Sequence, residues 1–312
     1  IETIVDLAEA EAKDYADLAF GVQFILEKAV LEIVDFWQKK TGISSISVSG
    51  GVFANVKLNQ RIAELPSIDS LDIFPNMGDG GISIGGVWHT LLNRGHLRSG
   101  ILYNNMYLSK NSDADLSSDI LKNYDYQVGS VCDIARKVAH ELSNGQIVGI
   151  HQGAMEFGPR ALGNRSILVD PRNSNANEVV NKRLRRTEFM PFAPIVIEEF
   201  AGQYFDIKNY ENLNPFKYMT ITCNVLEKQK FKIPAVVHKD GTARPQFISR
   251  MDNELVYLIL EEFYRITNIP VLINTSFNVH EEPINFTIED SLEALDRNAV
   301  DQVVFGEYIL KK

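Results

Sequence analysis

The residues best suited to chemistry lie in the segment His151 to Asp170, which reads HQGAMEFGPRALGNRSILVD. Within it, Arg160 and Arg165 are surrounded by glycine, asparagine and serine residues and precede a short apolar run. A guanidinium group donates two parallel hydrogen bonds to a phosphate or a carboxylate, so the pattern predicts an anion site. The alternative is that both arginines are solvated or paired with a carboxylate, for which Glu156 is available.

The backbone of the same segment also favours anion binding. Proline suits the first position of a helix and glycine the position just after its end, so Pro159 to Gly163 predicts one helical turn. The free amide groups at the start of such a turn attract anions. We therefore expect both side chains and backbone to contribute to the site.

Two glycine-containing turns precede this segment. A strand predicted at Ile46 to Val48 is followed by Gly50 and Gly51 and then by a helix. Paired glycines in this position let backbone amides approach a phosphate, although they also occur in plain turns. Asp79 follows in a second glycine-rich loop, NMGDGG, before another predicted helix. It is placed to ligate a metal ion or to cap that helix, and residue type alone favours the cap.

Further polar clusters lie downstream. A helix predicted from Asn177 to Arg186 carries basic residues that are either solvated or directed toward the arginine motif. The segment Ala235 to Ser249 predicts a β-hairpin with an Asp-Gly turn, flanked by His238 and Arg244. A decorated hairpin tip is a credible alternative for His238 and less so for Arg244. The strand predicted from Pro270 to Ile273 ends in NTSFN, whose short polar side chains are typical of a ligand crevice.

Alternating helices and strands position these residues. Apolar spacing predicts helices at residues 3–40, 53–63, 82–92, 130–142 and 253–267, and buried strands at 46–48, 73–74, 147–150, 270–273 and 303–310. A capping box at residues 287–290 begins the last helix. The polar, irregular segment 94–115 predicts a domain boundary.

Composition places the chain among globular proteins. The chain is 45% hydrophobic and 23% charged. Its length of 312 residues is enough for two domains. The net charge of −10 argues against a nucleic-acid surface. No apolar run approaches the roughly 20 residues that a bilayer span requires. The first residues lack the basic and apolar pattern of a secretory signal, so we expect none.

The cysteines bear on the cellular environment of the protein, and the first residue bears on how much of the protein the sequence covers. Cys132 and Cys223 have no metal-type spacing, so we expect buried thiols in a reducing, cytoplasmic environment. The sequence begins at Ile1 rather than at a methionine, which we interpret as a fragment or a processed protein. A homodimer is compatible with the sequence, which does not determine the oligomeric state.

Several strings resemble, in order along the chain, the carbamoyltransferase family that modifies nodulation factors and natural products such as antibiotics. They are SGGVFANVKLNQRI, FPNMGDGGISIGG, GAMEFGPRALGNRSIL, NKRLRRTEFMPFAP and HKDGTARPQ. The resemblance implies an α/β (α+β) chain. Residues 1–100 would form the incomplete C-terminal part of an actin/hexokinase-type (ASKHA) carbamoyl-transfer domain. Residues 101–312 would form a domain similar to the threonylcarbamoyl-adenylate synthases.

In the N-terminal part, the resemblance implies nucleotide contacts at Gly50, Gly51 and Asn55 and an iron ligand at Asp79. The histidine ligands of the family lie in an earlier H-x-x-x-H motif, which this sequence does not contain. The implied iron site therefore has an incomplete set of ligands in this sequence. The resemblance also implies magnesium.

In the C-terminal part, the resemblance implies that Arg160, Arg165 and Arg186 hold phosphate oxygens and that Arg244 joins them. Family members often carry K-x-R before a P-F-A-P turn, and Lys182 is at best a displaced substitute for that lysine.

The strand end at Ser276 and Asn278 carries a separate resemblance. These two residues resemble the S-x-N element of threonylcarbamoyl-adenylate synthases, which contacts nucleotide phosphates.

The activity implied by the resemblance is O-carbamoyl transfer in two steps. Carbamoyl phosphate and ATP would form carbamoyl adenylate, and the carbamoyl group would then pass to a hydroxyl group of a small-molecule acceptor. We expect only partial activity from this chain. One alternative is a fragment that binds nucleotide or carbamoyl phosphate without complete transferase activity. Another is a carbamoylation enzyme of the tRNA or hydrogenase-maturation type. Neither nucleic acid nor a membrane is an expected partner.

Overall fold

The computed structural model describes residues 15–96, 105–111, 116–185, 192–208, 210–279 and 282–312. Helices α1 to α11 span, in chain order, Tyr15–Thr41, Val56–Ala63, Ile82–Asn93, Ser118–Leu121, Val131–Ser143, Ala176–Arg183, Ala201–Tyr204, Asn214–Lys217, Glu227–Lys230, Glu254–Thr267 and Ile288–Asp296. Strands β1 to β14 span Ser45–Val48, Ser70–Ile73, Tyr107–Asn111, Asp125–Val128, Val148–His151, Ala154–Glu156, Arg165–Val169, Ala193–Ile197, Cys223–Asn224, Thr242–Ala243, Gln246–Ile248, Val271–Ser276, Gln302–Phe305 and Tyr308–Lys311.

A large mixed sheet organises the described part of the chain. Eight of the described strands form it, in the order β11-β8-β12-β7-β5-β13-β14-β4. The pairs β11–β8 and β13–β5 are parallel, and the remaining neighbours are antiparallel. The predicted α/β class is confirmed. The assignment of the first 100 residues to an actin/hexokinase-type domain stays a prediction.

Helix ends follow local capping chemistry. Ser130 and Asp133 form a reciprocal capping box that begins α5, and Thr287 and Asp290 do the same for α11. The Asn253 side chain accepts a hydrogen bond from the backbone of Val256 and so begins α10. These short-range hydrogen bonds explain why the predicted helix starts agree closely with the structure.

The core is continuous from the N-terminal segment to the large sheet. Every residue of β5, β7 and β8 is buried, as expected for strands covered on both faces. Leu58 and Ile62 of α2 and Ile73 of β2 are fully buried in the same apolar cluster as these strands. Apolar packing therefore joins the two parts of the chain.

Polar contacts reinforce this junction. The side chain of Asn59 donates to the carbonyl oxygen of Thr220 at 2.7 Å, and the Thr222 hydroxyl donates to Gln60 Oε1 at 2.8 Å. Both amide side chains belong to α2, so this helix is held to the C-terminal part along its buried face.

Two predicted strand arrangements are wrong. The turn at His238 to Gly241 is present, but β10 after it pairs with β9, and β11 lies parallel to β8. The segment 303–310 is a hairpin of β13 and β14 rather than one strand. In both cases the pairing partner depends on long-range packing, which local periodicity does not encode.

Two further expectations concern the cysteines and the membrane. Neither Cys132 nor Cys223 is in a disulfide, but only Cys223 is buried, so the expectation of a buried Cys132 is wrong. Among the helices described, none combines the length and the apolar character needed to cross a membrane.

We predict that Gly149→Ala destabilises the protein by about 1–3 kcal/mol, because a methyl group would overpack the core. A β-carbon at Gly149 would lie 2.5 Å from Cζ of the Phe277 ring. The matched control is Gly202→Ala in α7, where the nearest atom to a β-carbon is Ile207 Cδ1 at 3.8 Å. Chemical denaturation measures both variants, and equal stability of the two would contradict the packing described.

Candidate functional site

The candidate site lies at one edge of the large sheet, here called the arginine edge. It is the edge at which β5, β12 and β13 end and β7, β8 and β11 begin, because His151 lies opposite Arg165 and Ser276 opposite Ser166. Asn274 lies opposite Ala193, which adds β8 to the same edge. Loops that enter or leave these strands carry Arg160, Arg244 and the Ser276–Asn278 turn.

Residues 157–164, the arginine loop, enter β7 without forming a helical turn. The Glu156 Oε1 atom accepts hydrogen bonds from the backbone amides of Leu162, Asn164 and Arg165 at 2.7, 2.8 and 3.2 Å. The prediction of a helical turn is therefore wrong, and a carboxylate of the chain itself binds the amides at the end of the loop.

Side chains from neighbouring elements bind the loop carbonyls. Asn274 Nδ2 donates to Ala161 O at 3.1 Å, and both Gln246 Nε2 and the Tyr107 hydroxyl donate to Leu162 O at 2.9 Å. These hydrogen bonds tie the loop to β12, β11 and β3.

Glycine is required at position 163 of this loop. Its φ of 118° lies in the region that side chains rarely adopt, and a β-carbon would lie 2.9 Å from Asn253 Nδ2. The conformation of the arginine loop is thus fixed by backbone sterics as well as by hydrogen bonds.

Arg165 is fully buried beneath the loop. Its Nη1 atom donates to the carbonyl oxygens of Gln152 and Asn164 at 2.8 and 2.9 Å, and Nη2 donates to Gly153 O at 3.3 Å. These contacts give Arg165 a role in holding the two turns together. They do not support the predicted role of holding phosphate oxygens.

Arg160 and Arg244 form the electrostatic centre of the site. Within the described residues, the Nε atom of each is buried without a hydrogen-bond partner, and neither guanidinium pairs with a carboxylate. Burial lowers the pKa of both groups, and the nearby charge of Arg160 helps to bring the pKa of Arg244 to about 9. Both remain cationic at neutral pH. Two like charges that interact in a partly buried site are unfavourable until an anion joins them.

A turn next to Arg244 adds further polar groups. His238 Nδ1 lies 3.1 Å from the Thr242 hydroxyl oxygen, and that hydroxyl donates to Asp240 Oδ1 at 2.6 Å. Lys57 of α2 donates to Asp240 Oδ2 at 2.8 Å. Burial lowers the pKa of His238, the Asp240 carboxylate opposes this shift, and the charges of Arg244 and Lys57 add to it.

Ser276 and Asn278 lie at the arginine edge, as predicted. The Ser276 hydroxyl donates to Asn278 Oδ1 at 2.5 Å, and Asn278 Nδ2 donates to the carbonyl oxygens of Val279 and Glu282. The two side chains therefore order the turn after β12. Their contact with nucleotide phosphates stays a prediction.

Lys182 is not brought to this edge. It is exposed near the end of α6, and the adjacent Arg183 pairs with Asp301 at 2.7 Å, directly before β13 begins. The start of β13 lies at the opposite edge of the sheet, so the structure separates Lys182 from Arg160. Arg186 lies outside the described residues.

The predicted N-terminal site residues serve mainly local structure. The Gly50 amide donates to Met77 O at 2.7 Å, and the exposed Gly51 begins a short 3-10 turn. The Asn55 side chain caps α2 by accepting from the Leu58 amide at 3.0 Å and also pairs with the Gln23 amide group. Nucleotide contacts at these residues stay a prediction.

Asp79 is exposed and does not cap α3, which has Gly81 as its N-cap residue and no side-chain capping hydrogen bond. Its loop approaches the arginine loop, since a β-carbon at Gly158 would lie 3.4 Å from the carbonyl oxygen of Pro75. Among the described residues, no group of three histidine, cysteine, aspartate or glutamate side chains is arranged to hold a metal ion. These residues therefore do not fit the implied iron site, and magnesium, which needs only one or two carboxylates beside substrate phosphates, stays a prediction.

Sequence reasoning missed the residues that shape the arginine loop. Glu156 was considered only as a partner for an arginine side chain, whereas it binds backbone amides. Asn274 lies in the NTSFN string and Gln246 lies in the HKDGTARPQ string. Both strings were already singled out, so these two residues could have been predicted from the sequence. Nothing local in the sequence indicated that Lys57 contacts Asp240.

Comparisons with known proteins cover most of the chain. A family model described as "Carbamoyltransferase C-terminus" matches residues 139–312, and one described as "Carbamoyltransferase N-terminus" matches residues 2–87. Nodulation protein NolNO of Sinorhizobium fredii is 31% identical over 304 residues, which is 96% of this chain and 44% of that protein. An uncharacterised protein of Methanocaldococcus jannaschii is 36% identical over 307 residues, 95% of this chain and 49% of that protein.

The chain spans about half the length of the curated relatives it matches. Among solved structures, HypF in its phosphate- and nucleotide-bound form is 20% identical over 56% of this chain and 21% of that one. Its TM-score of 0.39 is too low to bear on function.

We predict that Glu156→Ala destabilises the protein by at least about 3 kcal/mol, because it leaves three buried amides without an acceptor. Glu156→Gln keeps an oxygen acceptor in the same position, so we expect a smaller loss. Denaturant unfolding measures both variants. Equal losses would show that the Oε1 hydrogen bonds do not hold the loop.

His151 gives the fold a pH dependence. It is fully buried at the end of β5, and Nδ1 lies 2.8 Å from the Ser291 hydroxyl oxygen. Burial, with a contribution from the Arg165 charge, lowers the pKa of His151 from 6.5 to about 3. The unfolded chain therefore takes up a proton at this residue between pH 6.5 and 3, while the folded chain does not.

Stability consequently falls as the pH drops through this range. We predict that the wild type loses about 2 kcal/mol more than His151→Asn between pH 7 and pH 5, because the variant has no imidazole to protonate. Denaturant titrations at several pH values measure the difference. Parallel pH profiles for the two proteins would refute a neutral, buried His151.

Proposed function

Because the chain belongs to the carbamoyltransferase family, we propose that its arginine edge binds carbamoyl phosphate and ATP and forms carbamoyl adenylate. The observation that carries this proposal is the pair of partly buried cations at Arg160 and Arg244, whose buried Nε atoms have no hydrogen-bond partner and no counter-charge among the described residues. A phosphate group between them would offset their repulsion. It would also accept hydrogen bonds from Nε and Nη atoms that otherwise stay unused.

The chemistry of this step suits a site of fixed cations. The net reaction consumes one water and releases phosphate and pyrophosphate, so negative charge moves among phosphate oxygens throughout. Catalysis of phosphoryl and adenylyl transfer is largely positioning and charge stabilisation. The hydrogen bonds that fix the arginine loop set the backbone position of Arg160 before substrate binds. The free energy needed to reorganise the site during the reaction is therefore smaller.

The transfer step to a hydroxyl group of a small-molecule acceptor is part of the same proposal. Its support is the match of residues 2–87 to the N-terminal family model. The approach of the Asp79 loop to Gly158 brings this part of the chain next to the arginine loop. Because the described residues do not fit an iron site, we assign no step to a metal ion. A cytoplasmic location and a homodimer stay predictions.

We predict that Arg160→Ala and Arg244→Ala each lower carbamoyl-phosphate-dependent exchange of pyrophosphate into ATP by about 10²–10³-fold, because each removes a cation aimed at developing charge. The matched control is Arg250→Ala, an exposed arginine that pairs with Glu254 at 2.6 Å beyond the far end of β11. We expect this control to keep wild-type exchange.

Calorimetric binding of carbamoyl phosphate separates the possible failures. Wild-type binding without any exchange would support a binding fragment instead of an activating enzyme. Unchanged exchange in both Arg160→Ala and Arg244→Ala would overturn the assignment of the site. For Arg165→Ala, the buried contacts predict a loss of stability that accompanies any loss of exchange.

A further inference from the structure

The turn from His238 to Thr242 fixes which nitrogen of His238 carries the proton. The Thr242 hydroxyl has one proton, and it donates that proton to Asp240 Oδ1 at 2.6 Å. Asp240 is held as a carboxylate because hydrogen bonds from Lys57 and Thr242 outweigh the effect of burial and lower its pKa. It can therefore only accept.

The hydrogen bond to His238 follows from this constraint. Thr242 Oγ1 has no second proton, so it must accept from His238 Nδ1, which lies 3.1 Å away. In a neutral imidazole with Nδ1 protonated, the other nitrogen, Nε2, carries a lone pair. Within the described residues, no hydrogen bond to Nε2 is formed. His238 thus presents an acceptor that the fold does not use.

His238 belongs to the turn that leads directly into Arg244, since its backbone amide and Nδ1 atom both contact Thr242. The charges of Arg244 and Lys57 both act on His238, and Arg244 in turn lies near Arg160. Guanidinium groups donate hydrogen bonds and cannot accept them, so they bind the phosphate and carbonyl oxygens of a substrate but not its amino group. An amino group needs an acceptor, which Nε2 supplies.

We propose that His238 Nε2 accepts a hydrogen bond from the amino group of carbamoyl phosphate and so selects it over acyl phosphates such as acetyl phosphate. The proposal rests on the proposed function, in which carbamoyl phosphate binds beside Arg160 and Arg244. Lys57, Asp240 and Thr242 are positioning residues, since they act through the proton on His238 Nδ1. Acetyl phosphate has a methyl group of similar size in place of the amino group and cannot make this hydrogen bond.

Calorimetry of the 312-residue chain with carbamoyl phosphate and acetyl phosphate tests the selection. We expect the wild type to bind carbamoyl phosphate about 3- to 10-fold more tightly, as one hydrogen bond to a neutral acceptor allows. In His238→Phe the two Kd values should become equal, while the Kd for acetyl phosphate stays at the wild-type value. His238→Gln, whose amide oxygen reaches the position of Nε2, should restore part of the preference.

A second measurement determines, without any substrate, which nitrogen of His238 carries the proton and whether Thr242 controls it. Long-range ¹H–¹⁵N correlation spectra of histidine-labelled protein should show His238 protonated at Nδ1 in the wild type. Thr242→Val should give a mixture of both tautomers and a reduced preference for carbamoyl phosphate. A wild-type His238 protonated at Nε2 would overturn the proposal, as would a preference that survives in His238→Phe or in Thr242→Val.

Failure of the underlying function gives a different result. If the wild type binds neither acyl phosphate, the proposed function fails and the selection fails with it. If carbamoyl phosphate binds and Arg160→Ala abolishes binding, but the preference ignores His238, then the anion site stands and only the role of His238 is refuted.

Discussion

The site depends on one buried carboxylate and the backbone amides that bind it. The Oε1 atom of Glu156 accepts hydrogen bonds from the amides of Leu162, Asn164 and Arg165, so these amides rather than a guanidinium group bind the carboxylate. An ion pair between Glu156 and Arg160 would leave the loop neutral and its arginine occupied. The observed arrangement fixes the loop and leaves the cation available, which is the condition for binding an anion.

Local patterns predicted the elements of the fold better than the contacts between them. Capping at Ser130, Asn253 and Thr287 defines helix starts within one residue because the hydrogen bonds join neighbours in the sequence. The strand that follows Arg244 was predicted to fold back on its own turn. It instead pairs with β8, because burial of both faces of the sheet outweighs the local hairpin signal.

In the candidate site, too, the residue types were easier to predict from the sequence than the contacts that each residue makes. Arg160, Arg244 and Ser276 were predicted from residue type and resemblance, and the sheet brings them to one edge. Lys182 was predicted as a displaced substitute for the lysine of the K-x-R pattern, but the chain leaves the edge along β7 before α6 begins. Arg165 has the same residue type as Arg160 and the opposite environment. Which of the two faces a ligand depends on backbone carbonyls whose positions only the folded loop defines.

The contact of α2 with the C-terminal part also affects how the protein reaches its native state. Lys57 binds Asp240, and Asn59 binds Thr220, across separations of more than half the chain. Contacts this distant in sequence carry a large loop-closure entropy that must be overcome before they contribute. We therefore expect these contacts between α2 and the C-terminal part to form late in folding, after the local hydrogen bonds of the His238–Thr242 turn.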